Sequence, residues 1–288
     1  MSDRVSIKAP AKINLYLHVT GKRNDGYHFL DSLVVFAKDA FDLVTIEKSE
    51  LDIFEIGGPF APLLHETDRK DNLVLKALQM YRADTGIKTP VRLTLEKNLP
   101  VGGGIGGGSA DAAVAIKGLE TLFNAPLKDR SLLAKLGADV PVCYNGKNCI
   151  MRGIGDVLFD APALPAFYML LVWPQKHTAT KDVFTRLSLS EMKEEIFIPP
   201  AFDNVNDFIK FLQANDNDLA EPAQAISPEI TQALTFLHKD QVCLLARMSG
   251  SGSTVFGLFE NAQACENAKS AVRAQRPDWW AQTTSILF

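Results

Sequence analysis

The sequence has few cysteines, and their spacing fits neither a disulfide framework nor a zinc site. Four cysteines in 288 residues are too few to hold a small secreted scaffold together. They form no C-x-x-C pair and have no histidines at the spacing of zinc ligands. We therefore expect reduced, buried thiols at Cys143, Cys149, Cys243 and Cys265.

Long hydrophobic runs and an excess of basic residues are also absent. The longest apolar run, 164–173, is far below the roughly 20 residues that span a bilayer. The N-terminus has no apolar stretch of the kind found in signal peptides. A formal net charge of −4 provides no basic surface for nucleic acid or an anionic membrane. These absences predict a cytoplasmic protein whose partner is a small molecule, not a nucleic acid or a membrane.

What is present is the composition of a folded protein. Apolar residues make up 47% and charged residues 22% of a chain long enough for two medium domains. Asp160, Pro162 and Pro165 interrupt the chain just before a predicted apolar strand, so we place the domain boundary between 1–160 and 161–288. The predicted helices and strands occur in mixed order, which favours an α+β fold over a doubly wound sheet.

Two alternating stretches predict strands. From Ala11 to Val19 apolar residues alternate with polar ones, which places Lys12 and Asn14 together on the polar face. The residues 91–95 alternate in the same way and lead into a glycine-rich segment. Helical spacing is predicted at 72–81, 109–123, 131–136, 204–212, 227–237 and 261–273, and further strands at 167–173, 242–247 and 254–259.

The glycine-rich segment 102–108 has a side chain only at Ile105, so its backbone N–H groups can turn toward one anion. It joins a predicted strand to a helix whose predicted N-cap is Ser109, and a helix N-terminus favours negative charge. A flexible linker does not usually connect two such elements. The segment therefore predicts a phosphate-binding loop.

Two common types of phosphate loop fit the segment poorly. Its glycines satisfy the dinucleotide pattern G-x-G-x-x-G, but Pro100 interrupts the connection from the strand, and no acidic residue ends a second strand about twenty positions later. A Walker A loop carries lysine after its last glycine, where this chain has Ser109. Another lysine must supply the positive charge, and Lys12 and Lys97 are the candidates.

Three short motifs resemble those of the GHMP kinases, a family named for galactokinase, homoserine kinase, mevalonate kinase and phosphomevalonate kinase. The motifs are Pro10-Ala11-Lys12-Ile13-Asn14-Leu15, the run PVGGGIGGGSADAA at 100–113, and Ser249-Gly250-Ser251-Gly252. The segments 21–28, 71–73 and 137–141 resemble one branch of the family, whose substrate is a small cytidyl diphosphate of the non-mevalonate isoprenoid pathway. The likeness is dense up to residue 160 and thinner beyond it.

The resemblance implies a two-domain α+β kinase with its active site in the cleft between domains, ATP as co-substrate and Mg²⁺. The Ser-Gly-Ser-Gly run, otherwise a common turn sequence, would close the site. The family usually has Leu and Ser where this chain has Ile105 and Ala110, which leaves Ser109 as the only hydroxyl of the loop. No position matches the acidic magnesium ligand of some relatives, so metal ligands stay unassigned. The implied ATP-binding residues are Asn72, Lys97, Pro100, Val101, Gly102, Gly103, Gly104, Ile105, Gly106, Gly107, Gly108, Ser109 and Ala110.

By the same resemblance, Asp139 and Lys12 are the predicted catalytic residues. Phosphoryl transfer to an alcohol needs an aligned hydroxyl, an acceptor for its proton and positive charge near the moving group. Asp139 would accept the proton, and Lys12 would lie close to it, keep it ionised and orient the hydroxyl. Gly137 and Pro141 flank Asp139 and would fix its direction. Local sequence alone equally allows an exposed turn aspartate and a solvated strand lysine.

A cytosine ring requires an aromatic face for stacking and a hydrogen-bonding group for its edge. Tyr27 and His28 offer both, with Phe184 as a second face, Thr180 nearby and Asn14 on the predicted polar face of the first strand. Without the family pattern, packing in half-buried positions would be the better interpretation of these aromatic residues.

Two other functions remain open on the sequence. One is a GHMP kinase for homoserine, mevalonate or a sugar, and the other is a catalytically silent binding protein of the same fold. The joint presence of Lys12 and Asp139 disfavours the silent form, and Gly26-Tyr27-His28 favours a cytidyl substrate. The chain is expected to act as a monomer or a homodimer.

Overall fold

The computed structural model describes residues 3–65, 71–188 and 193–287, and its contacts divide the chain into two units. The first unit comprises Met1–Ala11, Phe41–Val101 and Gly106–Gly146, and the second comprises Lys12–Ala40, Gly102–Ile105 and Lys147–Phe288. Neither is a continuous segment. The division falls within two long strands, β1 (Arg4–Lys22) and β2 (His28–Lys48), at both ends of residues 102–105 and after Gly146. The predicted boundary at residue 160 divides the chain differently, into two continuous segments, and stays a prediction.

The first unit combines strands with a layer of helices. Residues 43–48 of β2 pair antiparallel with β4 (Val91–Glu96), and β4 pairs parallel with β3 (Ile53–Gly57). A side chain at Gly118 would collide with Ile46, so helix α3 lies directly against β2. The helical elements are α1 (Ala61–His65), α2 (Leu73–Thr85), α3 (Gly107–Phe123), a 3-10 turn (Arg130–Leu132), α4 (Leu133–Leu136) and α5 (Val140–Asn145).

The second unit contains two groups of strands. Residues 30–34 of β2 pair antiparallel with β5 (Cys149–Gly153), which pairs with β6 (Val157–Asp160). The other group is a four-stranded antiparallel sheet in the order β10-β7-β9-β8, formed by β7 (Tyr168–Trp173), β8 (Leu245–Met248), β9 (Val255–Phe259) and β10 (Trp280–Ser285). The helices are α6 (Thr180–Thr185), α7 (Val205–Ala214), α8 (Ala220–Ile226), α9 (Pro228–His238) and α10 (Ala262–Gln275).

The core of the second unit explains why β7 is a continuous apolar run. β7 pairs on one edge with β10 and on the other with β9, and its residues 169–173 are all buried. Leu170 and Val172 share one hydrophobic cluster with Ile230 of α9 and Val272 of α10. A strand covered on both faces has no solvent side that would require polar residues.

The α+β prediction is confirmed, since helices and strands are mixed along the chain. Several boundaries are wrong. Strand β1 extends beyond the predicted 11–19 at both ends, and α2 ends at Thr85 instead of Tyr81. Helix α3 begins at Gly107, two residues before the predicted N-cap Ser109. The strand expected from residue 242 begins at Leu245, because Cys243 N donates to Asp240 O at 3.1 Å in a turn.

All four cysteines are free thiols, as predicted, although Cys243 is only partly buried. Burial raises the pKa of the Cys149 thiol to about 11, with Lys12 opposing the shift. Thiols of such high pKa stay protonated and unreactive at neutral pH. No helix of the described residues is both long and apolar enough to cross a bilayer.

Candidate active site

The glycine loop has the backbone of an anion-binding site. Gly102, Gly104 and Gly106 have positive φ angles of 67°, 74° and 65°. These three residues are at least partly exposed, whereas residues 103, 105 and 107 between and beside them are buried. Positive φ at alternate residues is typical of a nest, in which successive N–H groups face one anion. Only glycine adopts these angles without strain.

Helix α3 begins directly at the end of the loop. Gly106 is its N-cap, and no side chain caps the helix there, so the predicted capping role of Ser109 is wrong. The first helical hydrogen bond runs from Ala110 N to Gly106 O at 2.8 Å. The N–H groups of 107–109 precede that bond and have no partner within the helix, which makes this N-terminus suited to a phosphate.

The two departures from the family pattern lie on the buried side of the loop. Ile105 and Ala110 are each 1% exposed. The presence of Ile and Ala here, instead of the Leu and Ser usual in the family, therefore changes no side chain on the exposed face of the loop. The half-exposed Ser109 keeps a hydroxyl in the first turn of α3.

Hydrogen bonds in the second unit bring the three sequence motifs together. The backbone N–H groups of Lys12 and Thr254 each donate at 2.9 Å to carbonyl oxygens within residues 103–105. The hydroxyl of Ser249 donates to another carbonyl of this segment at 3.3 Å. The middle of the loop is thus fixed by the strand of the first motif and by the turn of the third.

Asn14 links the first motif to the third. Its backbone N–H donates to Ser249 Oγ at 3.1 Å, and its side-chain amide donates to Ser32 Oγ at 2.7 Å. Asn14 Oδ1 is buried and has no partner among the described residues. The polar face predicted for Lys12 and Asn14 is not exposed to solvent, because β1 is buried on both faces from Ala11 to Val19.

Asp139 occupies the N-cap position of α5, but its carboxylate does not cap that helix. Val140 N donates to Gly137 O at 3.0 Å, which closes the tight turn predicted from the sequence. A Cβ added at Gly137 would lie 3.7 Å from Ser109 Oγ. Within the first unit, the turn that carries Asp139 therefore packs against the first turn of α3.

Lys97 and Asn72, both predicted to contact the nucleotide, have side chains engaged within the first unit. The buried ammonium of Lys97 contacts Asp42 and donates to Asp111 Oδ2 at 2.7 Å. Asn72 caps α2 and accepts a hydrogen bond from Val74 N at 2.9 Å. Their contacts with ATP stay predictions.

The residues predicted to bind cytosine lie in the second unit. The rings of His28 and Phe184 stack with centroids 4.8 Å apart and planes 22° from parallel. Burial, with a smaller effect from Lys22, lowers the pKa of His28. Thr180 Oγ1 lies 2.9 Å from Ser251 Oγ of the third motif. Tyr27 is 55% exposed, so it is no core residue, and the packing alternative fails for it.

Sequence reasoning missed several polar residues around the loop. His177 Nδ1 lies 3.3 Å from Gly102 O, and no local pattern indicated it. Asp111 was visible as a charged residue between alanines in a predicted helix, a signal of a buried partner. Asp42 gave no comparable signal, because its neighbours in β2 do not alternate.

One group of described residues has the spacing of metal ligands. His18, Asp216 and Asp218 offer ligand atoms within 4.8 Å of one another. The ammonium of Lys193 contacts both aspartates, at 2.7 Å in the case of Asp218. A lysine therefore already pairs with both carboxylates and offsets one of their two negative charges, and the group is not assigned to Mg²⁺.

Family models match both parts of the chain. The model described as GHMP kinases N terminal domain matches residues 72–161, and the one described as GHMP kinases C terminal matches residues 197–278. These matches include the glycine loop and the turn that carries Asp139.

Named relatives are similar over nearly the whole chain. The 4-diphosphocytidyl-2-C-methyl-D-erythritol kinase of Agrobacterium fabrum is 44% identical over 97% of this chain and 95% of its own length. That of Cereibacter sphaeroides is 46% identical over 97% of this chain and 98% of its own length.

Solved structures share the fold. A crystal structure of 4-(cytidine 5'-diphospho)-2C-methyl-D-erythritol kinase has a TM-score of 0.79 and 29% identity, and covers 98% of this chain and 99% of its own. A homoserine kinase from Cytophaga hutchinsonii, 15% identical, has a TM-score of 0.66 over 100% of this chain and 95% of its own, which shows a common fold only. Given the relatives at 44% and 46% identity, the chain belongs to the GHMP kinases, within the family of 4-diphosphocytidyl-2-C-methyl-D-erythritol kinases.

Proposed function

We propose that this chain transfers the γ-phosphoryl group of ATP to the 2-hydroxyl of 4-diphosphocytidyl-2-C-methyl-D-erythritol in the non-mevalonate isoprenoid precursor pathway. The observation that carries the proposal is the set of hydrogen bonds joining residues 103–105 to Lys12, Ser249 and Thr254. These bonds connect the motifs that distinguish the family. The names of the relatives supply the substrate.

In this proposal the glycine loop holds the phosphates of ATP. Its positive φ angles and the start of α3 at Gly107 support a role of the backbone N–H groups as donors to phosphate oxygens. Mg²⁺ would enter with ATP and neutralise part of the phosphate charge. The hydroxyl of Ser109 would contact the phosphate or Mg²⁺. No acidic ligand for Mg²⁺ is assigned.

Asp139 is proposed as the general base and Lys12 as the residue that orients the acceptor hydroxyl and stabilises charge. The closed turn at Gly137 and its packing against Ser109 support a fixed direction for the Asp139 carboxylate. The hydrogen bond from Lys12 N to Ile105 O fixes the backbone of Lys12 on the glycine loop. Asp139 would accept the proton of the substrate's 2-hydroxyl. The hydroxyl oxygen would then bond to the γ-phosphorus as the bond between the γ-phosphorus and the ADP oxygen breaks.

The cytosine is proposed to bind at Tyr27, His28 and Phe184, near Thr180 and Asn14. The exposed ring of Tyr27 is available for stacking. The lowered pKa of His28 favours the neutral imidazole, in which one ring nitrogen accepts and the other donates a hydrogen bond. Such a ring can match the mixed donor and acceptor edge of cytosine.

The proposal is tested by ADP release from ATP and Mg²⁺ with four candidate substrates. They are 4-diphosphocytidyl-2-C-methyl-D-erythritol, mevalonate, homoserine and galactose. We expect turnover with the cytidyl substrate alone. Turnover confined to one of the other three would overturn the substrate assignment, and binding of ATP without turnover of any would favour the silent form.

A cytoplasmic location and a monomeric or homodimeric state are part of the same proposal. Neither nucleic acid nor a membrane is a proposed partner, since the net charge of −4 leaves no basic excess. Fractionation of cells and sedimentation of the purified chain would measure location and oligomeric state separately.

A further inference from the structure

A fully buried group of three ionisable residues lies in the first unit next to the loop. It is formed by Asp42 of β2, Lys97 just after β4 and Asp111 of α3, and is called the ion cluster below. The side chains are at most 3% exposed. Removing charged groups from water costs free energy unless each one is paired, so a fully buried cluster of this kind calls for a structural or functional explanation.

The ion cluster fixes the chain segment that enters the loop. Asp42 Oδ1 accepts hydrogen bonds from Asn98 N at 2.6 Å and from Leu99 N at 2.8 Å, while its other oxygen contacts the Lys97 ammonium. Pro100 follows directly. One carboxylate thus sets the direction in which β4 ends and the loop begins.

The same ammonium fixes the segment that leaves the loop. Lys97 Nζ donates to Asp111 Oδ2 at 2.7 Å, in the second turn of α3. A Cβ added at Gly107 would lie 3.0 Å from Lys97 Nζ and 3.5 Å from Asp42 Oδ2. The ammonium therefore lies directly against the first residue of the helix, and a side chain at that position would crowd it.

We propose that the ion cluster positions both ends of the glycine loop for nucleotide binding, and that the Lys97 ammonium acts through the loop rather than by touching ATP. This inference rests on the proposed role of the loop in holding ATP. It assigns Asp42, Lys97 and Asp111 as positioning residues. The competing explanation is that the cluster only stabilises the fold of the first unit.

The protonation state of Asp111 makes asparagine the conservative replacement at this position. Burial raises the pKa of Asp111 to about 8, with a contribution from Asp42 and opposed by Lys97. At neutral pH the protonated acid is close in shape and charge to asparagine. Asp111→Asn can still accept from Lys97, whereas Asp111→Ala cannot, and alanine is the better helix former.

The test compares these variants in binding a non-hydrolysable ATP analogue with Mg²⁺ by calorimetric titration. Loss of a charged hydrogen bond predicts that Asp111→Ala raises Kd at least about 10-fold, and that Asp111→Asn restores most of the affinity. We expect kcat at saturating ATP and KM for the cytidyl substrate to stay within about 2-fold of the wild type, because only loop placement changes.

Asp52 provides the matched control. It accepts from Val91 N at 2.9 Å and pairs with Arg82, so it holds the start of β4 as Asp42 holds its end. Asp52→Ala should lower the melting temperature without changing Kd for the analogue. An Asp111→Ala variant that loses thermal stability but keeps wild-type Kd, or an equal loss of affinity in Asp52→Ala, would overturn the positioning role.

A second variant covers the case in which Asp111→Ala does not fold. Asp42→Asn keeps an oxygen for the N–H groups of 98–99 but points an amide NH₂ at Lys97, and it should also raise Kd about 10-fold. An unchanged Kd there would also reject the inference. The proposed function and the role of the ion cluster can fail independently. Wild-type protein that does not turn over the cytidyl substrate would contradict the proposed function, whereas the titrations with the ATP analogue would still test the ion cluster.

Discussion

The glycine loop and the aromatic group Tyr27, His28 and Phe184 are specialised in opposite ways. In the proposed phosphate site the backbone of residues 102–108 is the functional group, and positive φ angles at alternate glycines disfavour side chains there. In the proposed cytosine site the side chains of the aromatic group are the functional groups, with one exposed ring and one stacked pair. Adding atoms should therefore damage the loop, whereas removing atoms should damage the aromatic group.

The largest effect is expected from adding a side chain to the loop. Gly106 has a φ of 65°, an angle that β-branched residues resist, and it is the N-cap of α3. We expect Gly106→Val to abolish ATP binding in a calorimetric titration while the circular dichroism spectrum stays that of the folded protein.

Gly86 is the matched control for that substitution. It also lies in the first unit with a positive φ of 81°, and nothing is within 4 Å of the place its Cβ would take. Gly86→Val should lower the melting temperature and leave ATP affinity unchanged. Wild-type affinity in Gly106→Val would show that the loop does not cradle phosphate.

Replacing the carboxylate of Asp139 by an amide of the same size separates an effect on the chemical step from effects on the binding of ATP and of the cytidyl substrate. Asp139→Asn should lower kcat at least ~100-fold, because an amide cannot accept the hydroxyl proton, while both KM values change little. Asp129, an exposed aspartate that caps the 3-10 turn of the same unit, is the control, and Asp129→Asn should keep kcat. A rise in KM with kcat retained would make Asp139 a binding residue.

Removing the exposed ring is the corresponding test of the aromatic group. Stacking of a base on an aromatic ring contributes about 1–3 kcal/mol, so Tyr27→Ala should raise KM for the cytidyl substrate roughly 5- to 150-fold. ATP affinity and melting temperature should stay nearly unchanged, because Tyr27 is exposed. Tyr27→Phe keeps the ring and should cost little. A large loss of stability without a selective effect on the cytidyl substrate would remove the stacking role.

A different kind of measurement, the pH dependence of stability, tests the ion cluster. The pKa of Asp111 is raised by burial from 3.8 to about 8, so the folded state holds its proton more tightly than the unfolded state. The stabilisation is therefore complete below the unfolded pKa and is lost as pH rises through about 8. Asparagine does not titrate, so the melting temperature of Asp111→Asn should rise relative to the wild type between ~pH 5 and ~pH 9. A constant difference across that range would place the pKa of Asp111 near its ordinary value.

Elements with local signals could be predicted from the sequence. Helix α2 was found because apolar residues recur at helical spacing from residue 72 onward. The structure adds that Asn72 caps it. Strand β4 was found because its apolar and polar residues alternate, and the structure buries the apolar ones. In both cases the signal lies within the element itself.

The 21-residue strand β2 had no such signal. Its polar residues Asp31 and Asp42 interrupt the alternation, yet both are buried. Asp31 accepts hydrogen bonds from Tyr16 and from Arg152, which is 121 positions away, and Asp42 contacts Lys97. In an analysis of hydrophobic periodicity, a charged residue is taken as exposed unless its distant partner is known. The periodicity of the sequence therefore could not predict this strand.

The sequence by itself determined the position of the glycine-rich loop, the family and the fold class, because each of these is recognised from short stretches of neighbouring residues. Glycines at fixed spacing set the loop backbone wherever the loop lies. Only the tertiary structure decided that α3 begins at Gly107, that Lys97 is buried between two carboxylates, and that Asn14 bonds to Ser249 across 235 positions. The physical reason is that burial and pairing are properties of distant segments brought into contact, and a short stretch of sequence carries no record of its partner.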